Sequence, residues 1–454
     1  MTKFESLQQF YKGKRVLVTG HTGFKGSWLC LMLRMLGAEV YGYALAAPTE
    51  PALFDILKLS EEMHSEIGDI RDFPHLSAFM ETARPEVVLH LAAQPIVRTS
   101  YLYPRETFET NVMGTVNLLE AIRRYNAQHA EKVQSFLNVT TDKVYENPDL
   151  ADHAFREDEK LDGYDPYSNS KSCSELVTHS YQKSFFSPGA DPSATVTAIS
   201  TARAGNVIGG GDFAVDRIIP DCVRDTIAGR TIHVRNPYST RPYQHVLEPL
   251  YVYLLIAMTQ AQGQQTTGTQ ASAASAEMNE AGHDERTTET LARDVAGCYN
   301  VGPDEVDAIT TGALADLFVQ SWGAGAAWHT DAEANAPHEA AYLKLDTQKL
   351  KERFHWQPRW HVTEAVQETV AWYHAWSEGA DMRALTEQQI RAFLADEREK
   401  SRTGQRKQSS RRDRKSSISS QNMQENIRSH RCSSRIMRAS ASRMPAVSMM
   451  TRRW

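Results

Sequence analysis

Tyr167 and Lys171 stand four residues apart in the run Tyr167-Ser168-Asn169-Ser170-Lys171. On a helix that spacing puts a phenol and an ammonium on one face. A cation held there favours the phenolate and brings a phenol of pKa about 10 toward working pH. Taken alone, the pair is equally an ordinary surface contact. It gains meaning from the β-rich run Val139-Thr140-Thr141-Asp142-Lys143-Val144-Tyr145, which ends in a hydroxyl, a carboxylate and a second ammonium. Such groups at the carboxyl end of a parallel strand face the ligand crevice of an α/β sheet. Thr141, Asp142, Lys143, Tyr167 and Lys171 are therefore the candidate catalytic set, suited to acid–base chemistry.

A second constellation is Gly20-His21-Thr22-Gly23-Phe24-Lys25-Gly26, between a predicted strand and a predicted apolar helix. Glycines at this spacing let the backbone turn sharply, approach a pyrophosphate and pack helix on strand. The helix N-terminus then offers its free N–H groups to the phosphates. The acidic residue expected after the second strand is missing, since Glu39–Leu45 runs into Ala46-Ala47-Pro48-Thr49, so preference between NAD and NADP is not set there. Asp69, after the third strand, is either an acceptor for an adenine amino group or a turn or helix-capping residue.

The elements that must hold these groups alternate as strand and helix over the first 200 residues, the rhythm of a parallel sheet with crossover helices. Strands are predicted at Lys14–Thr19, Glu39–Leu45, before Gly68, at Glu86–Ala92, Ser135–Thr140 and Thr195–Ser200. Helices are predicted at Phe24–Leu36, Pro104–Tyr125 and from Tyr164. The fold expected is α/β: a Rossmann-type doubly wound parallel sheet with a smaller C-terminal lobe. Beyond Ile208 the rhythm weakens. Helices are predicted near Asp216–Ala228, Glu248–Gln260, Thr310–Trp322 and Val362–Trp376, with a short strand at Thr231–Arg235, and order resumes at Gly297–Gly302. Gln262–Val295 has almost no large apolar residues and reads as a flexible insertion.

Composition closes off other classes. With 454 residues, 41 % hydrophobic and 23 % charged, the chain is a globular protein with ample core. Five scattered cysteines without a CxxC pair argue against a disulfide framework or a zinc ribbon, and no metal site is expected. The longest apolar run, LYVYLLIAM, is half a membrane span, and MTKFESLQQF has no signal-peptide core, so a cytoplasmic location is expected. The net charge of −6 conceals a division: Arg398–Trp454 holds 16 Lys+Arg against 3 Asp+Glu, and the rest 34 against 53. That basic tail lacks aromatic interleaving and periodicity. It reads as disordered sequence under no folding selection, with no specific nucleic-acid partner.

These motifs together resemble the extended short-chain dehydrogenase/reductase family, within it the nucleotide-sugar 4,6-dehydratases. The likeness spans Lys14–Ala261 and Gly297–Trp376 and is carried also by His90–Val97, Arg203–Phe213, Asp216–Asp221 and Arg235–Val246. Dehydratases of dTDP-glucose or GDP-mannose have a carboxylate at the place of Lys143, and sugar 4-epimerases lack the acid–base pair. Tyr243, where the family often has Trp, is a departure, as are the insertion and the tail. The competing readings are a 4-epimerase or other dehydratase of the same fold, and a non-catalytic NAD-sensing module, against which the intact Tyr167 and Lys171 speak.

The resemblance implies NAD as cofactor, held by Gly20, Thr22, Gly23, Phe24, Lys25, Gly26, Asp69, Ile70, Leu91, Ala92, Ala93 and Asn111 with Tyr167 and Lys171. It implies a nucleotide-sugar substrate held by Gln94, Asn206, Arg217, Arg235 and Arg241. Tyr167 would take the proton of the sugar 4-hydroxyl, which Thr141 holds; Asp142 would be the acid and Lys143 the C5 base of an elimination, the reverse assignment staying open. Residues 1–202 would form the NAD-binding domain, 203–261 and 297–380 a substrate-binding lobe free to interleave with the sheet, 262–296 the insertion and 397–454 the tail. Relatives pair the helices at Pro104–Tyr125 and Tyr164–Phe185 between subunits, implying a homodimer or homotetramer.

Overall fold

Seven of the β-rich runs pair into one sheet whose neighbours are all parallel. The computed structural model describes residues 3–187, 197–271 (263–271 as backbone), 295–330 and 341–395. The strands are β1 (Arg15–Thr19), β2 (Glu39–Ala44), β3 (His64–Ile67), β4 (Val87–His90), β5 (Ser135–Thr141), β6 (Ala198–Ala204) and, after the short strands β7 (Val207–Ile208), β8 (Ile232–His233), β9 (Thr240–Pro242) and β10 (Gln244–His245), β11 (Gly297–Val301). Their order is β11-β6-β5-β4-β1-β2-β3. The direction of winding reverses between β1 and β4, so the crevice for a ligand opens beyond their carboxyl ends. Strands β4, β5 and β6 are buried along their whole length, as strands covered on both faces must be.

Apolar helix faces cover both sides of this sheet. Helix Phe24–Met35 buries Trp28, Leu29, Leu31 and Leu33 completely, and Trp28 Nε1 donates to the Gly210 carbonyl at 2.9 Å. Each such side chain contributes about 1.5–3 kcal/mol by leaving water. Beyond the carboxyl edge, β7 pairs with β10, β9 with β12 (Ala308–Thr310) and β8 with β13 (Trp328–His329), forming the smaller lobe. β11, from the second half of the chain, is the edge strand of the main sheet, and helix Leu247–Ala271 packs on β4, β5 and β6.

Several expectations shift. The strand placed at Thr195–Ser200 runs from Ala198 to Ala204, following burial rather than β propensity. The helix at Pro104–Tyr125 is two α-helical stretches, Pro104–Phe108 and Gly114–Gln128, joined by a π turn at Glu109–Met113. The helix starting at Leu247 continues to Ala271, ten residues into the stretch read as an insertion. Residues 272–294 and the tail 396–454 lie outside the described residues. Helices Lys3–Tyr11, Phe73–Ala83 and Met382–Ala395 were not anticipated.

Candidate active site

A cavity of about 1200 Å³ lies at the carboxyl ends of the strands, between sheet and lobe. Its floor on one side is the glycine turn. Gly20 has φ +75°, and a Cβ there would come within 2.8 Å of Ala92 N, so only glycine lets the β1 and β4 loops meet. Gly23 stands at the N-cap of helix Phe24–Met35 and no side chain caps it, leaving the first N–H groups for a ligand. Thr22 Oγ1 is spent on the Leu45 carbonyl at 2.8 Å. The loops Leu91–Ala93, Leu45–Ala46 and Gly68–Ile70 complete a lining that suits a dinucleotide whose phosphates sit on the helix end. Asp69 lines it too, but in a turn: its carboxylate accepts from Arg71 N at 2.9 Å and from the Arg71 guanidinium at 2.6 Å, which holds it below the usual carboxylate range. The helix cap is Asp72 instead, which accepts from His75 N at 3.1 Å.

Opposite stands helix Pro166–Tyr181, started by Asp165, whose carboxylate accepts from Ser168 N at 3.0 Å and Ser168 Oγ at 2.6 Å. That cap presents Tyr167 in the first turn and Lys171 one turn later, both lining the cavity with Thr141 and Lys143. The Tyr167 phenol and the Thr141 hydroxyl face the same part of that cavity. Burial pushes the phenol up to about 12; the Thr141 side chain and the Arg217 cation pull against that, and the Asp142 charge adds to it. Lys171 turns its ammonium to the Val139 carbonyl, 3.1 Å away, and burial pushes it down to about 8.

Asp142 and Lys143 follow the end of β5. Lys143 Nζ donates to Asp142 Oδ1 at 3.0 Å and to Asn206 Oδ1 at 3.2 Å. Thr141 Oγ1 donates to the same Asp142 oxygen at 3.0 Å. Asp142 is 1 % exposed and its Oδ2 has no partner, while the Lys143 side chain is 27 % exposed. One oxygen of the carboxylate is therefore held twice, and the other is buried without a partner. Lys25, read as a residue of the phosphate turn, belongs equally to this end of the cavity. Burial pushes its ammonium down to about 7, with Arg217, Lys171 and Lys143 acting in the same sense and Asp142 against them.

Arginines from the lobe face this cluster. Arg217 donates to Asp212 at 2.8 Å and Arg235 to Asp216 at 2.6 Å; Arg98, which the sequence did not single out, lies 3.8 Å from the same Asp216. Arg241, 2 % exposed, lines the cavity and donates to the Thr240 carbonyl at 2.9 Å. Paired but reachable, these guanidiniums offer the fork that matches diphosphate oxygens. Three expected site residues do not line the cavity: Asp142, buried behind Lys143 and Thr141, and two that lie elsewhere, Asn111 and Gln94. Asn111 is buried at the π turn, where its amide accepts from Gln94 N at 2.8 Å and donates to Ser170 Oγ at 2.9 Å. Gln94 folds onto its own loop, donating to Thr107 Oγ1 at 3.0 Å and accepting from Ile96 N at 2.7 Å. Neither lines the cavity; both shape the loop that does.

Residues 17–369 match the family described as GDP-mannose 4,6 dehydratase. The chain is 45 % identical over 388 residues to a CDP-glucose 4,6-dehydratase of Salmonella typhimurium, covering 86 % of this chain and 98 % of that one. It is 30 % identical over 191 residues to a dTDP-glucose 4,6-dehydratase of Escherichia coli, 38 % of this chain and 52 % of that one. Among solved structures, UDP-glucose 4-epimerase of Thermus thermophilus in complex with NAD superimposes with TM-score 0.61 at 23 % identity, over 79 % of this chain and 99 % of that one. The dTDP-glucose 4,6-dehydratase of Bacillus anthracis in complex with NAD gives 0.59 at 20 % identity, over 81 % and 99 %. These structures share the fold.

Proposed function

We infer the reaction from one premise: the chain belongs to the GDP-mannose 4,6-dehydratase family. It is an enzyme of the hydro-lyase class with NAD as its cofactor, and we propose that it converts CDP-glucose to CDP-4-dehydro-6-deoxy-glucose and water, a step of deoxysugar biosynthesis for surface polysaccharide. The observation that carries this reading is the Asp142–Lys143 pair, 3.0 Å apart at the end of β5 beside Tyr167 and Thr141. An epimerase has no use for a second acid–base pair, and a sensing module has none for any of it.

When bound, NAD supplies a hydride acceptor for C4 of the sugar and the hydride donor for C6. The residues of the chain supply the proton movements. Tyr167, ionised to the phenolate that the Lys171 ammonium favours, takes the proton of the 4-hydroxyl, and Thr141, which lines the cavity with it, orients that hydroxyl. Elimination needs a base at C5 and an acid at the 6-hydroxyl. Passing one proton from the Lys143 ammonium to Asp142 gives both: a free amine facing the cavity and a carboxylic acid whose Oδ2 is unoccupied. The Lys143 amine removes the C5 proton, and the Asp142 carboxyl protonates the leaving 6-hydroxyl. Arg217, Arg235 and Arg241, with Arg98, hold the nucleotide diphosphate.

We place the enzyme in the cytoplasm; no helix among the described residues is long and apolar enough to cross a membrane. We further propose a homodimer or homotetramer. Met113, Leu176 and Phe185 are exposed large apolar side chains on the helices expected to pair, and Leu102 and Tyr103 stand just before the first of them, Leu102 exposed by 74 %. Substrate choice is tested by offering CDP-glucose, dTDP-glucose and GDP-mannose separately and weighing the products. Loss of one water from CDP-glucose alone supports the assignment; turnover of dTDP-glucose with none of CDP-glucose overturns it.

A further inference from the structure

One turn behind Lys171 on the same helix lies Glu175, a fully buried carboxylate that the proposed mechanism does not use. Its oxygens are saturated. Arg203 of β6 donates to them through Nε at 2.9 Å and Nη2 at 2.5 Å, Thr140 Oγ1 of β5 at 2.5 Å and Thr201 Oγ1 of β6 at 3.2 Å. Arg203 is itself held, donating to the Tyr145 hydroxyl at 2.8 Å and the Glu157 carbonyl at 3.0 Å. Both partners of the ion pair are 1 % exposed or less. A buried pair of this kind is a weak source of stability, since desolvation offsets most of the attraction. Its position is more informative. Tyr167, Lys171 and Glu175 follow at i, i+4 and i+8, so phenol, ammonium and carboxylate form one line on the sheet-facing side of the helix. His179 and Cys298 also lie near Glu175, but its oxygens are already taken by four donors.

We propose that Glu175 is a positioning residue of the active site, whose fixed negative charge keeps Lys171 an ammonium beside Tyr167. This rests on the dehydratase reading above. Lys171 needs such support. Burial disfavours its charge, Lys25 of the glycine turn is a second cation nearby, and His90 of β4, which faces it, is held neutral by its own burial. Tyr167 on the same helix is an un-ionised phenol at rest. Among the groups around Lys171, Glu175 is the one whose charge favours the ammonium. Arg203 and the two threonine hydroxyls hold the Glu175 carboxylate fixed.

The test is the pH profile of kcat on CDP-glucose for the wild-type enzyme, Glu175→Gln and Glu175→Asp, with melting curves alongside. In the wild type, activity declines as rising pH removes the Lys171 proton. Without the Glu175 charge that proton leaves earlier, so the alkaline limb of Glu175→Gln moves down by about one pH unit or more, while Glu175→Asp keeps the wild-type limb. A Glu175→Gln enzyme that loses activity equally at every pH, its limb unmoved, shows a purely structural role and overturns the proposal. Should Glu175→Gln fail to fold because Arg203 is left unpaired, Glu175→Gln/Arg203→Met removes both buried charges, and the same downward shift is expected; an unmoved limb there overturns the proposal equally. A wild-type enzyme inert toward CDP-glucose defeats the reading of the function instead, a result distinguishable from either.

Discussion

Lys143 Nζ lies 3.0 Å from Asp142 Oδ1, and the other oxygen of that carboxylate is buried without a partner. An ammonium reaching into the cavity and a carboxylate sealed behind it form a unit that can exchange one proton internally. The mechanism proposed for elimination across C5 and C6 uses this unit, which adjoins Thr141 on the strand end that faces Tyr167 across the cavity.

Replacing Lys143 by alanine removes the base and leaves the groups of the first hydride transfer in place. Elimination should slow by roughly 10²–10⁴. Rapid mixing with CDP-glucose should show reduced nicotinamide accumulating on the enzyme by its ultraviolet absorbance. If none accumulates and the first transfer is lost as well, Lys143 orients Tyr167 or the sugar instead. If Asp142 is the base and Lys143 the acid, Asp142→Asn should be the variant that stalls with the C5 proton unexchanged with deuterated water.

Tyr167→Phe deletes the phenol and leaves a ring of nearly the same shape. Turnover should fall by roughly 10²–10⁴, with no reduced nicotinamide at any time and with CDP-glucose still bound in calorimetry. Normal appearance of reduced nicotinamide would assign the first proton transfer to another group.

The pH dependence follows from Lys171. Its buried ammonium is pushed down to about 8, so it is charged below that pH and neutral above it. The charged form favours ionisation of Tyr167, so kcat should hold below about pH 8 and decline as pH rises through it. A profile still rising well above that value would show that Lys171 does not act as a cation.

Gly20→Ala tests the phosphate turn. With φ at +75° and Ala92 N 2.8 Å from the new Cβ, the β1 and β4 loops must separate. A loss of about 1–3 kcal/mol in stability is expected, with weakened NAD retention in equilibrium dialysis. An unchanged Tm and NAD affinity would show that the turn tolerates a side chain and is not closely packed.

Much of this was legible in the sequence because it is local. Glycines at fixed spacing after an apolar strand, a Tyr and Lys one helical turn apart, and Thr141-Asp142-Lys143 at a strand end each declare themselves within a few residues. What was missed is non-local or depends on a register change. Glu175 follows Lys171 at helical spacing, but nothing in the sequence joins it to Arg203 on another strand. Asn111 looked like a cavity residue on a continuous helix; the π turn at Glu109–Met113 adds a residue to that turn and aims the amide at Gln94 and Ser170. The stretch after Gln262 lacks apolar residues and so suggested disorder, yet its Gln and Ala are good helix formers, and the helix runs on to Ala271.

The central claim is an internal redox cycle coupled to loss of water, and CDP-glucose carrying deuterium at C4 tests it most directly. Purified enzyme incubated with this substrate and NAD, without added reductant, should yield a 4-dehydro-6-deoxy product one water lighter with the deuterium at C6. Deuterium lost to solvent, or a product epimerised at C4 with no water lost, would contradict the account.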